Sequence, residues 1–296
     1  MDLPLPDMRA TGTPEVPPPP AGWGDMRQHI FWGAAYHWFV MFRNGRYPQF
    51  RPHRALPVQR EAMLYSKRLI LMPVFALHRM IATRRIEAGG YPYHLGLLQL
   101  EHDASFQAHS PFASMADFLE VVVDGFAKGA PGHHHLVFKA HPLESGQSPL
   151  RRLIADAAAA HGVAGRVHYV RGGKLARLLD HATTAVTVNS TAGQQALWRG
   201  IPLKIFGTAV YDRPDFVSGQ SLPAFFAKPD KPDTESYRAY RQFLLETSQV
   251  PGGFYSAKGR RQLLRKLPDM MLAQADPYAA RLGNVTPEGT DLRVVS

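Results

Sequence analysis

Three short polar clusters hold most of the residues in this chain whose types and spacing suit chemistry. They are Gln99-Leu100-Glu101-His102-Asp103-Ala104-Ser105, Lys139-Ala140-His141-Pro142 and Asn189-Ser190-Thr191. Together they supply two carboxylates, a lysine, two histidines and a set of small hydrogen-bonding side chains. A carboxylate serves as nucleophile or proton carrier, and a lysine or histidine receives a departing anion. Asn189-Ser190-Thr191 precedes the helix-forming run 192–199, and its types suit an N-cap. A helix start with free backbone N–H groups is also where α/β proteins hold phosphate. Local pattern alone fits an ordinary capped helix equally well. A lone His-Pro is commonly a turn, and Glu-His-Asp commonly a solvated loop. What gives the clusters weight is that each ends an apolar, strand-like run.

The elements that must position them follow a repeating grammar. Strands are expected at 93–100, 136–140, 167–169, 183–188 and 203–206, with helices at 115–128, 150–161, 174–181 and 192–199 between them. Gly200 and Pro202 supply the stop after the last of these helices. This βαβα succession predicts an α/β fold with an open, Rossmann-like parallel sheet covered by helices. Right-handed crossovers would bring the strand ends, and therefore the three clusters, to one edge of the sheet. Upstream, 23–42 and 59–87 read as two helices separated by a Pro/Arg loop. Downstream, 230–249 is helical up to the break at Pro251-Gly252-Gly253, and 257–273 is a basic amphipathic helix. The expected organisation is a Pro-rich lead-in at 1–22, a basic helical segment at 23–90, a nucleotide-binding domain at 91–275 and a tail at 276–296.

Composition narrows the chemistry. The 296 residues include no cysteine, which excludes disulfides, thiolate metal sites and cysteine catalysis, and which fits a reducing cytoplasm. The first twenty residues lack the apolar core behind a basic start that marks a secretory signal. No apolar run approaches the roughly 20 residues that span a bilayer. Ser190 lacks the G-x-S-x-G setting of a hydrolase nucleophile, and neither G-x-x-x-x-G-K-[ST] nor G-x-G-x-x-G occurs. Adjacent His133, His134 and His135 cannot all face one ion from an extended segment, so they are read as the loop before a strand, with no metal expected.

The formal net charge is +10 and is unevenly spread. From Arg43 to Arg85 the chain carries Arg46, Arg51, Arg54, Arg60, Lys67, Arg68, Arg79 and Arg84 against Glu61 alone. Such a zone favours a phosphate-rich partner: an anionic membrane face or a nucleotide-linked substrate. Nucleic acid is not expected, because no recognition motif accompanies the charge. Trp32, Trp38, Phe39, Phe42 and Tyr47 just upstream suit a membrane surface. A solvated basic face is the plain alternative.

In this order and spacing, five stretches resemble the bacterial capsule polysaccharide biosynthesis/export family of the KpsS/KpsC type, which are β-Kdo glycosyltransferases. They are LLQLEHDASFQAHSPFASM, VFKAHPLESG, RVHYVRGGKLARLL, VTVNSTAGQQALWRGIPLKIFGTAVYDRPDF and YRAYRQFLLETSQVPGGFYS. They run nearly continuously over 93–256, and HSPF and QVPGGFYS favour the single-module, KpsS type. The resemblance implies the C-terminal half of a GT-B-like enzyme. The family carries another Rossmann-like half upstream of a Pro-rich segment, and this chain starts almost at that segment. His102 departs from the pattern, which often has another acid there.

The resemblance further implies CMP-Kdo as donor, with no other cofactor and no metal. It implies a phosphatidylglycerol-type lipid as acceptor, and a peripheral place at the inner face of the cytoplasmic membrane beside other capsule assembly or export proteins. Carried over by motif, Lys139 and His141, with Asn189, Ser190 and Thr191, hold the nucleotide. Gln99, Glu101 and Asp103 line the sugar site. Asp103, in the E-x-D-A-S pattern, is the expected nucleophile of a retaining transfer, with Glu101 as the alternative and His141 assisting departure of CMP. The competing expectation is a non-catalytic assembly or export component that keeps a nucleotide-binding half.

Overall fold

The computed structural model describes residues 23–47, 49, 58–142, 144, 148–171, 174–254, 257–273, 276 and 278. The Pro-rich segment 1–22 and nearly all of 276–296 lie outside them. The chain divides into two compact units, one formed by 63–237 and the other by 1–62 with 238–296.

The first unit is built on five parallel strands: β1 (Tyr93–Leu97), β2 (His135–Lys139), β3 (Val167–Val170), β4 (Ala182–Thr187) and β5 (Leu203–Ile205). Their order in the sheet is β3-β2-β1-β4-β5, and every pairing is parallel. β1 is buried along its whole length, as a strand covered on both faces must be. The expected α/β, Rossmann-like sheet is present. Each strand stops one to three residues before or after the expected boundary. β1 ends at Leu97 rather than residue 100, because the backbone turns after Leu98 donates to the Lys139 carbonyl (3.0 Å).

The helices of this unit are α3 (Ala104–His109), α4 (Met115–Gly129), α5 (Leu150–Ala160), α6 (Leu175–Leu179), α7 (Gly193–Trp198) and α8 (Leu222–Ala227), preceded by most of α2 (Val58–Ala88). Phe118, Val122 and Phe126 of α4 meet Leu136 and Phe138 of β2, and Phe225 and Phe226 of α8, in one buried core. That core takes alternate residues of β2, so Val137 and Lys139 face the opposite side of the sheet. Gly96 lets the sheet close over it, since a Cβ there would sit 2.4 Å from the Phe138 ring. α4 opens with a complete capping box between Ser114 and Asp117. Gly200, at φ +70°, provides the left-handed residue that ends α7, as its position suggested.

Sequence reading missed α3 and α8. Each is six residues long, too short to show a helical period. The second unit contains α1 (Trp23–Phe42), the Arg238–Thr247 part of α9 (Thr234–Thr247), and α10 (Ala257–Met271). In it Lys266 donates to the Leu245 carbonyl at 2.9 Å. No helix among the described residues is long and apolar enough to cross a membrane.

Candidate functional site

The strand order reverses between β1 and β4, and ligands of open parallel sheets gather at the carboxyl edge beside such a reversal. Two of the three polar clusters flank this point, and the third ends the neighbouring strand β2. Gln99 follows β1 and Asn189 follows β4, and their side chains close the gap between the two strand ends. The Gln99 Nε2 donates to Asn189 Oδ1 (2.7 Å), and the Asn189 backbone N–H donates to Gln99 Oε1 (2.9 Å). Asn189 Nδ2 donates in turn to the Ser105 carbonyl (2.9 Å), so the loop after β1 is tied to the same post. Both amides are buried, where an unpaired polar group would cost about 1–3 kcal/mol. The sequence placed Gln99 in the sugar site and Asn189 at the phosphate; the structure brings them together as one buried clamp beneath the cluster.

Ser190 and Thr191 form the turn into α7, and here an expectation is corrected. The helix starts at Gly193, its N-cap is Ala192, and no side chain caps it. The N–H of Ala192 is held by Ser190 Oγ (3.2 Å), and the next three donate to the carbonyls of Ser190, Thr191 and Ala192 at 2.9–3.2 Å. The N–H groups of Ala192, Gly193, Gln194 and Gln195, at the helix start where free donors were one expectation, are therefore engaged within the turn. The Ser190 carbonyl also accepts from the Tyr211 hydroxyl, a buried group that sequence reading did not single out. Its place in YDRPDF, just after β5, was the available signal.

The carboxylates stand on the loop between β1 and α4. Asp103 is exposed and caps α3, accepting from Ser105 N–H at 3.2 Å, which leaves its second oxygen toward solvent. Glu101 is half-buried, with Oε2 at 3.4 Å from Met115 N and 3.5 Å from Ser148 Oγ. Glu101 thus has two long contacts, to the start of α4 and to the loop before α5, while Asp103 is exposed.

Lys139 is the least ordinary residue here. It is only 5% exposed, and among the described residues its ammonium makes one weak contact, to the Ala140 carbonyl at 3.3 Å. Burial, reinforced by the positive charge of Arg79, pulls its pKa down to about 8. A buried lysine with no carboxylate partner is costly in an empty protein and is offset when an anion enters. His141, half-buried, follows two residues later at the start of the loop after β2.

The histidine triplet lies at the opposite edge. His133 and His134 are in the loop and His135 opens β2; His134 Nδ1 is 3.0 Å from His94 Nε2, and His135 Nδ1 is 2.7 Å from His168 Nε2. Among the described residues no three His, Asp or Glu side chains gather in metal-holding geometry.

A sequence profile of capsule polysaccharide biosynthesis proteins matches residues 13–255. The capsule polysaccharide modification protein LipB of Neisseria meningitidis serogroup B is 32% identical over 226 residues, which are 75% of this chain and 54% of that protein. The capsule polysaccharide export protein KpsS of Escherichia coli is 29% identical over 228 residues, 77% of this chain and 58% of that protein. The chain thus spans little more than half the length of these relatives. Among solved structures, the β-Kdo 2,4 transferase of Thermosulfurimonas dismutans KpsC aligns with 56% of this chain and 55% of that chain, at 16% identity and a TM-score of 0.33.

Proposed function

The chain belongs to the capsule polysaccharide biosynthesis protein family, and from that premise we propose that it is a nucleotide-sugar-dependent glycosyltransferase that moves β-Kdo from CMP-Kdo to a phosphatidylglycerol-type lipid. The observation that carries this reading is the buried Lys139, which has no carboxylate partner among the described residues, at the same sheet edge as the exposed carboxylate of Asp103. A cation without a partner suits the departing phosphate, and a solvent-facing carboxylate suits the anomeric carbon. In this account an Asp103 oxygen attacks the anomeric carbon as its bond to the CMP phosphate oxygen breaks. The negative charge that leaves with CMP is met by Lys139 and His141. The acceptor hydroxyl then displaces Asp103 and loses its proton, giving net retention. Glu101, with Oε2 3.4 Å from Met115 N and 3.5 Å from Ser148 Oγ, takes the role of base for that proton in this proposal.

The lipid side of the proposal is supported by α2. Met63, Ile70, Val74, Leu77 and Ile81 are exposed and recur at helical spacing, so they share one face, with Lys67, His78, Arg84 and Arg85 exposed along its borders. On α1, Phe31, Trp32, Trp38, Phe39 and Phe42 are likewise exposed. Apolar faces bordered by cations suit an anionic lipid surface and a peripheral place on a membrane.

A second reading, a nucleotide-binding but non-catalytic capsule component, is favoured by the turn at Ser190–Gln195, whose N–H groups are already engaged. Release of CMP from CMP-Kdo in the presence of phosphatidylglycerol separates the two. Turnover that is lost in Asp103→Asn supports the transferase. Normal CMP binding with no turnover by the full chain supports the second reading.

A further inference from the structure

We propose that the segment 206–211, just after β5, braces both sides of the site, and that Gly207 and Tyr211 are positioning residues for the transfer. Gly207 acts through the helix that Asp103 caps, and Tyr211 through the turn at Ser190 and Thr191. The inference rests on the glycosyltransferase reading above and concerns residues to which that reading gives no role.

The brace is one continuous stretch of chain. Phe206 and Gly207 both donate their backbone N–H to the Val188 carbonyl, at 3.1 and 2.9 Å, which fixes the segment beside the end of β4. The N–H of Thr208 then reaches across to the carbonyl of His109, the last residue of α3, at 3.1 Å. Gly207 is buried in this crossing. A Cβ on it would collide with the His109 carbonyl oxygen and press on Val188 Cγ1 (3.2 Å) and Asn189 Nδ2 (3.3 Å). Only a residue without a side chain lets the segment pass between α3 and the end of β4.

α3 is therefore held at both ends. Thr208 holds its last carbonyl, and Asn189 Nδ2 holds the Ser105 carbonyl near its start at 2.9 Å. Phe106, between them, is packed in the core. Asp103 caps this helix six residues before His109, and a helix carries a shift rigidly over the roughly 9 Å between them. A push on His109 thus moves the carboxylate proposed as nucleophile.

Three residues beyond Thr208, Tyr211 donates its hydroxyl to the Ser190 carbonyl. Tyr211 is fully buried, and burial, with the nearby Tyr237 and Asp212, raises its pKa, so the hydroxyl stays a donor. A second hydroxyl, that of Tyr237, donates to the Gln194 carbonyl at 3.2 Å. The turn that presents the exposed Thr191 is thus held from its carbonyl side.

The test uses the full chain as wild type, Gly207→Ala and Tyr211→Phe. It reads CMP affinity by calorimetry, kcat and KM for CMP release from CMP-Kdo, the unfolding midpoint, and amide hydrogen exchange at 104–110 and 192–195. Gly207→Ala should lower kcat about tenfold or more, with CMP affinity within about twofold of wild type. Tyr211→Phe, which keeps the buried ring, should weaken CMP binding about fivefold and speed exchange at 192–195. Variants that shift only the unfolding midpoint, with kcat and CMP affinity unchanged, overturn the proposal. Should Gly207→Ala not fold, unchanged CMP affinity in Tyr211→Phe overturns it alone. Wild type that binds CMP but never releases it from CMP-Kdo removes the transferase reading, and weaker CMP binding in Tyr211→Phe then keeps the brace. Wild type that binds no CMP removes the nucleotide-sugar reading as a whole. Faster exchange at 104–110 in Gly207→Ala and at 192–195 in Tyr211→Phe then keeps the brace, and unchanged exchange overturns it.

Discussion

At the scale of single residues the account turns on how each polar group is spent. Gln99 and Asn189 bond to each other, so Gln99→Leu strands the buried backbone N–H and side-chain Oδ1 of Asn189, while its Nδ2 keeps the Ser105 carbonyl. Chemical denaturation should show a loss of about 1–3 kcal/mol for that variant. Lys139 is spent on nothing stronger than a backbone carbonyl. Its pKa of about 8 lies below the lysine value of 10.5, so the ammonium that would hold an anion is lost as pH rises through about 8. Affinity for CMP, titrated from pH 7 to 9.5, should therefore decline above pH 8 in wild type. Lys139→Arg, which stays charged, should hold its affinity across that range. Asp103 sits differently: exposed and needed only to cap six residues, it is replaceable by Asn with the cap intact. Asp103→Asn should leave the unfolding midpoint near wild type while abolishing sugar transfer.

Elements decide which of these residues meet. The polar clusters were legible because parallel strands are apolar runs whose ends must turn polar, and β1, β2 and β4 announce themselves in that way. The Gln99–Asn189 clamp was not legible, since the residues are 90 apart and only the strand order makes them neighbours. At the start of α7 the N–H groups of Ala192 to Gln195 are engaged within the chain for a local reason, the tight turn that leads into the helix. Likewise the pairing of His94 with His134 depends on β1 and β2 being adjacent. Burial and the neighbouring His134 press the His94 pKa down to about 3 from 6.5, and its other nitrogen is 2.8 Å from Thr184 Oγ1. The folded state therefore keeps His94 neutral while the unfolded chain takes up a proton below pH 6.5. Stability should fall as pH drops through 6.5 toward 3, by about 2 kcal/mol between pH 7 and 5 from this group. Urea unfolding at the two pH values, with His94→Gln as the variant that flattens the difference, checks it.

For the whole molecule, charge and fold point the same way. A parallel sheet presents cations and carboxylates at one edge, on a chain of net charge +10 whose α2 carries an exposed apolar face. Binding to phosphatidylglycerol vesicles should weaken in Ile70→Glu with Leu77→Glu, and should fall with added salt, while neutral vesicles bind poorly. The parallel sheet was readable from sequence because strand periodicity and crossover handedness are strong constraints, whereas the strand order was not. The central claim is that this chain transfers β-Kdo from CMP-Kdo. The most direct measurement is CMP release by the purified full chain, with CMP-Kdo and phosphatidylglycerol vesicles. The account predicts lipid-dependent release in wild type and none in Asp103→Asn. CMP binding without release in wild type, or release undiminished in Asp103→Asn, would contradict it.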